Sequence, residues 1–132
     1  MARIVDTSVA VKWIAIEPGW EQARLVREDV LIAPDLLRAE LAQALYRKAR
    51  AGELSATEAL LAQAEVEALI SFLPVLPMAS RALELSLELN HSAGDCFFLA
   101  LAEATGLAIV TADLQLVDRC RNTVYEPLVE SL

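Results

Sequence analysis

Cysteine is nearly missing from the chain: Cys96 and Cys120 are the only two. That excludes a disulfide framework and a zinc site with four ligands drawn from within the chain. Glycine and proline, at 4 and 5 residues, are too sparse for a disordered or low-complexity segment. Basic charge is also short. Lysine and arginine number 11 against 19 acids, a formal charge of −8, which argues against a nucleic-acid binder that works through a large basic surface. No apolar run reaches the ~18 residues of a membrane span. The opening MARIVDTSV has neither the apolar core nor the cleavage site of a secretory signal. A cytoplasmic protein without membrane association is the expectation. No G-x-x-x-x-G-K or G-x-G-x-x-G occurs, so a nucleotide cradle has no support.

What is present is a hydrophobic chain of 132 residues, the size of one domain with a real core. No repeat, linker or composition break divides it, so a single domain over 1–132 is expected. Short apolar runs at Ala2 to Val5, Val30 to Ala33, Phe72 to Leu76, Leu107 to Val110 and Thr123 to Tyr125 read as strands. Between them lie helical patterns. Val9 to Ile16 is short, Trp20 to Arg27 follows, and Asp35 can cap a helix from Leu36 to Ala51 with leucines at 37, 41 and 45. Ser55 and Glu58 form a capping-box signature for a helix continuing to about Ser71. Ser80 to Leu89, Ser92 to Gly106 and Leu114 to Cys120 complete the set. Short strands alternating with helices, without strict period-2 patterning, predict an α/β fold: a parallel sheet of four or five strands covered on both faces. Pro74 and Pro77 make the third strand peripheral.

Chemistry gathers in a few acids. Asp6 and Asp113 each fall just past the carboxyl end of a strand, where ligands bind in such folds. Asp95 opens a helix on the same face as Phe98, Leu99 and Ala102, with no basic residue at i+3 or i+4. Glu40 sits within a helix among Leu36, Leu37 and Ala44, with only Gln43 as a polar neighbour at that spacing. Each has a plain alternative: Asp6 and Asp113 as helix caps, Asp95 as the partner of Ser92 in a capping box, Glu40 as a solvated edge residue. Taken together they make a mutually repelling cluster that a cation would neutralise. Oxygen ligands select Mg²⁺ or Mn²⁺, and such a site supports hydrolysis of a phosphodiester by water activated on the ion.

The residues that carry this cluster also carry a resemblance. IVDTSVAVKW at 4–13, Glu40 in PDLLRAELAQAL, Asp95 in SAGDCFFLALAEATG and TADLQL at 111–116 resemble a PIN-domain ribonuclease, the toxin of a VapBC-type toxin–antitoxin pair. The resemblance spans nearly the whole chain. It implies a PIN-like α/β/α fold and a metal-dependent endoribonuclease whose pocket is Asp6, Glu40, Asp95 and Asp113. It further implies supporting hydroxyls from Thr7, Ser8 or Thr111, a homodimer, and an antitoxin partner that blocks the pocket. One departure is Gly94-Asp95-Cys96, where related sequences often have an aromatic residue before the acid and alanine after it. A non-catalytic domain of the same fold, holding a basic protein partner on its acidic surface, is the alternative.

Other residues are less specific. Lys12 and Arg38 lie near the pocket in sequence and are candidates for contact with the RNA backbone. The run Arg47-Lys48-Ala49-Arg50 ends a helix and reads first as a solvated terminus suited to the macrodipole, second as a phosphate contact. His91, the only histidine, precedes a helix cap and is assigned no catalytic role. Trp13 and Trp20 read as core or interface aromatics, and Cys96 as a buried small side chain.

Overall fold

In the computed structural model, which describes residues 1–132, five short strands lie side by side. They are β1 (Ala2–Val5), β2 (Val30–Pro34), β3 (Ile70–Leu73), β4 (Ile109–Thr111) and β5 (Val129–Ser131). All are parallel, in the order β3-β2-β1-β4-β5. Seven helices connect them: α1 (Thr7–Ala10), α2 (Trp20–Val26), α3 (Leu36–Arg50), α4 (Ala56–Glu67), α5 (Ala79–Leu89), α6 (Ala93–Thr105) and α7 (Leu114–Cys120). Parallel neighbours need crossovers, and crossovers are right-handed. The chain steps from β1 to β2 to β3 in one direction, which lays α1 to α4 on one face. It then passes back over the sheet to β4 and on to β5, which lays α5, α6 and α7 on the other. The result is the α/β/α sandwich that the sequence predicts. No helix is long and apolar enough to cross a membrane.

Burial explains the absence of alternation in the strands. Ile4, Val5, Ile109 and Val110 are inaccessible on either side of the sheet because helices cover both. α3 turns Leu37, Leu41 and Leu45 inward at four-residue spacing. α6 buries Phe98, Leu99, Ala100, Leu101 and Ala102 in succession, as a helix enclosed on nearly every side does. It ends at Gly106, whose φ of 73° closes the turn in the left-handed region that glycine enters without a Cβ penalty. The capping box at α4 is complete: Ser55 Oγ accepts from Glu58 N at 3.1 Å, and Glu58 Oε1 accepts from Ser55 N at 2.9 Å.

Several boundaries differ from the sequence expectation, β4 among them, which runs Ile109–Thr111 rather than Leu107 to Val110. α4 stops at Glu67 and β3 runs from Ile70 to Leu73, in register with β2 from Leu31 to Pro34. Pro74 has no N–H to extend that ladder, and β3 does occupy a sheet edge. Thr123 to Tyr125 is a turn, with Thr123 Oγ1 accepting from Tyr125 N at 3.1 Å, and the fifth strand is Val129–Ser131, paired with β4. Here local side-chain bonding defeats β propensity. The first helix is a single turn followed by a 3₁₀ turn over Val11–Trp13. Asp35 does not cap α3; its Oδ1 accepts from Val75 N at 3.1 Å and ties down the exit from β3.

Candidate active site

The order of the strands creates the site. From β1 the chain moves outward to β2 and β3; only later does it return to the other side of β1 as β4. The crevice at the carboxyl ends of β1 and β4 is therefore the switch point, where ligands bind in open α/β sheets. Asp6 follows β1 and Asp113 follows β4. Asp95 comes from the first turn of α6, and Glu40 from α3 on the opposite layer. The sandwich thus delivers one acid from each helical layer to the two at the strand ends.

Asp6 is the floor. It is 4 % exposed and stands at the N-cap position of α1 without making a side-chain capping bond. Its Oδ2 instead accepts from Ser8 Oγ at 2.6 Å and from Thr111 Oγ1 at 2.8 Å. Those hydroxyls are themselves fixed. Ser8 Oγ accepts from Ala112 N at 3.0 Å, and Thr111 Oγ1 accepts from Asp113 N at 3.0 Å. Burial pushes the Asp6 carboxyl above the usual range; the Ser8 and Thr111 hydroxyls pull it down, and the charges of Asp95 and Asp113 push it up again. Glu40 is half-buried and its Oε1 accepts from Thr7 Oγ1 at 2.7 Å. Burial raises its pKa as well, opposed by Thr7 and reinforced by Asp6 and Asp95.

The two remaining acids divide their oxygens. Asp113 Oδ1 caps α7 by accepting from Gln115 N at 3.0 Å and Leu116 N at 3.4 Å. Its Oδ2 faces His91 Nε2 at 3.9 Å. Asp95 gives its backbone N–H to Ser92 Oγ, at 3.5 Å, while its Oδ2 accepts from His91 Nε2 at 2.6 Å. His91, with a side chain only 5 % exposed, is thus part of the site. Sequence reasoning set it aside; the available signal was its position four residues before Asp95, just ahead of the helix. Ligand atoms of His91, Asp95 and Asp113 lie within 4.8 Å of one another.

A metal ion fits this donor set. None of the four carboxylates pairs with a lysine or arginine; His91 is the sole basic side chain against them. The buried floor and the repelling acids around it are costly without a cation. The other candidates are placed as follows. Thr7, Ser8 and Thr111 are the hydroxyl shell just described. Lys12 lines the cleft beside the site, held by Glu17 Oε1 at 3.3 Å and the Pro18 carbonyl at 2.8 Å. Arg38 points away from it, bonded to Glu67 Oε1 at 2.9 Å and stacked over Phe72. Gly94 leaves room above Glu40: a Cβ there would lie 3.9 Å from Oε2. Cys96 is fully buried, and burial together with Asp95 pushes its thiol up to about 11, which leaves it neutral and inert.

A parallel sheet with carboxylates gathered at its switch point over a hydroxyl-lined floor defines an α/β/α domain built around an acidic pocket. The family model described as the PIN domain matches residues 3–122, and the chain belongs to that family. VapC ribonuclease Mb0985 of Mycobacterium bovis and ribonuclease VapC9 of Mycobacterium tuberculosis are each 34% identical over 116 residues, 87% of this chain and 88% of theirs. The crystal structure of PAE2754 from Pyrobaculum aerophilum matches with a TM-score of 0.73 at 24% identity, over 93% of this chain and 82% of that one. VapBC2 from Rickettsia felis, solved bound to a DNA fragment from its promoter, contains a chain that matches at 0.68 and 16% identity, over 99% of this chain and 98% of that one. At such identities the two structures speak for the fold alone.

Proposed function

We propose that the chain is a divalent-metal-dependent endoribonuclease, acting as one domain and as the toxin of a toxin–antitoxin pair in the cytoplasm. The observation that carries this is the set of four carboxylates without a lysine or arginine partner at the switch point. The names of its relatives, ribonucleases of the VapC type, favour the same reading. Asp6, Asp95, Glu40 and Asp113 would hold Mg²⁺ or Mn²⁺ directly or through water. When bound, the metal activates water and offsets charge that develops on the phosphoryl group. Ser8 and Thr111 orient Asp6 and oppose the rise in its pKa that burial causes. Thr7 does the same for Glu40. His91 holds Asp95 in position through its Nε2.

The partners follow from surface as well as name. Leu60 and Leu61 on α4 are 67 % and 58 % exposed, and Leu83 and Leu87 on α5 are 55 % and 75 % exposed. Apolar surface of this kind marks interfaces, here with a second copy and with an antitoxin carrying a basic group into the pocket. Light scattering that finds only monomer at tens of micromolar would count against the homodimer. The deciding assay for function is cleavage of total cellular RNA by antitoxin-free protein with Mg²⁺ or Mn²⁺, compared with EDTA and with Asp6→Asn and Asp95→Asn. Metal-dependent cleavage lost in both variants is the expected result. Cleavage undiminished in EDTA, or in both variants, ends the mechanism.

A further inference from the structure

Beside the carboxylates an open cleft of about 670 Å³ runs between α1, with the turn that follows it, and α3. Its inner end is Thr7, Ser8 and Glu40; its outer end holds Lys12, Gln43 and Arg47. Glu40, Gln43 and Arg47 stand at i, i+3 and i+7, hence on one face of α3. The rise of the helix sets Arg47 roughly 10 Å beyond Glu40 along its axis. Alanines 39, 44 and 112 keep the space between them open.

Arg47 differs from the other cations of its neighbourhood. Lys12 is held by Glu17 and Pro18, Lys48 reaches Glu53 at 3.5 Å, and Arg38 is bonded to Glu67. Arg47 is exposed and makes no ion pair, in a chain whose formal charge is −8. A position near the carboxyl end of α3 suits any cation through the macrodipole. That account serves Arg50 equally well, yet Arg50 does not line the cleft. What distinguishes Arg47 is that it lines the same open cleft as Glu40.

We propose that Arg47 anchors a backbone phosphate of single-stranded RNA next to the scissile one, and that the intervening nucleotide lies in the cleft against Gln43. This rests on the ribonuclease reading above. A guanidinium forks onto a phosphate through two parallel N–H bonds. The Gln43 amide both donates and accepts, which suits a base edge or a 2′-hydroxyl. One unpaired arginine is a sufficient anchor for a strand lying in a cleft. It is too few contacts for a duplex, which is held through phosphates across its grooves.

The test is binding of a labelled single-stranded RNA of mixed sequence by fluorescence anisotropy, with Ca²⁺ in place of Mg²⁺ and at a series of salt concentrations. Arg47→Ala is expected to weaken binding about tenfold. It should also flatten the slope of log K against log salt by ~0.7, the value for one phosphate contact on a single strand. Arg47→Lys should keep the slope, and Arg50→Ala should leave both unchanged. Gln43→Ala should weaken binding with the slope intact, since its contact is neutral. Mn²⁺ affinity by calorimetry should be the same in all four variants. A slope in Arg47→Ala equal to that of a wild type that binds RNA overturns the subsite alone. Equal losses from Arg50→Ala, or tighter binding of duplex than of single strand, also overturn it. Failure of the wild type to bind any RNA overturns the ribonuclease reading together with the subsite.

Discussion

Asp6→Asn is expected to make the metal-free protein more stable and the metal-bound protein less so. In the absence of an ion, the Asp6 charge is almost wholly removed from water, at 4 % exposure, and stands among like charges. Asparagine has the same shape, and its Oδ1 can accept from both Ser8 and Thr111, which now share Asp6 Oδ2. The substitution therefore removes a buried charge without orphaning either hydroxyl. Relief of such functional-site strain is commonly worth about 1 kcal/mol, or roughly 3 to 5 °C in Tm for a chain of this size. The sign with pH is fixed by the direction of the shift. Because the folded pKa lies above 3.8, the native state binds more protons than the unfolded chain as pH falls through that window. Wild-type stability on this account falls as pH rises through the folded value, and the advantage of Asn grows; below 3.8 the advantage vanishes. Taking the difference between variant and wild type at each pH cancels Glu58 and Glu103. Hydrogen bonds from Ser55 and from Arg81 hold those two below the usual range, so they act in the opposite sense. With Mn²⁺ at a hundred times its Kd the wild type should gain ~2.7 kcal/mol, and the variant far less, so the order of Tm reverses. The assay is thermal unfolding from pH 3 to 8, in EDTA and in Mn²⁺. A variant that melts below wild type in EDTA at neutral pH would refute the burial argument. An equal Mn²⁺ shift in both would refute Asp6 as a metal holder.

Three further outcomes are expected. His91→Ala removes the donor that orients Asp95 and should weaken Mn²⁺ binding about 10- to 100-fold by calorimetry; unchanged affinity would remove His91 from the site. Thr7→Val leaves Glu40 Oε1 without its donor, which should raise the Glu40 pKa further. The acid limb of the pH–rate profile should then move upward with a roughly tenfold loss of kcat/KM, and an unmoved limb would contradict the role given to Thr7. Ser55→Ala breaks the capping box of α4 far from the carboxylates. It should cost about 1 kcal/mol in urea unfolding while leaving RNA cleavage intact, and an activity loss at equal folded fraction would show coupling that the fold does not suggest.

Features of this chain that are legible in sequence are those whose cause is local. The α3 leucines, the Ser55 capping box and the stop at Gly106 are properties of a single turn of helix, and all appear where the sequence has them. The parallel sheet followed from apolar strands without alternation, since only a sheet covered on both faces tolerates that pattern. Asp6 and Asp113 were conspicuous because each followed a strand. Their choice between capping and pocket was not local. Asp113 does both, one oxygen for each, while Asp6 caps nothing.

Tertiary structure decided the rest, and it did so through partners distant in sequence. Thr123 to Tyr125 has strand-forming residues but is held in a turn by the Thr123 hydroxyl, and Val129 to Ser131 takes the edge of β4 instead. His91 looks like any residue before a helix until α6 turns its imidazole onto Asp95 and towards Asp113, 22 positions on. Arg38 and Arg47 are equivalent by composition, yet they stand nine positions apart on α3. That spacing gives Arg38 to Glu67, an acid at the end of α4, and leaves Arg47 bordering the cleft unpaired. Composition and periodicity determined which residues face inward, because burial of apolar surface depends on pattern. Which charges meet was determined by strand order, because that order sets which loops share the crevice between β1 and β4.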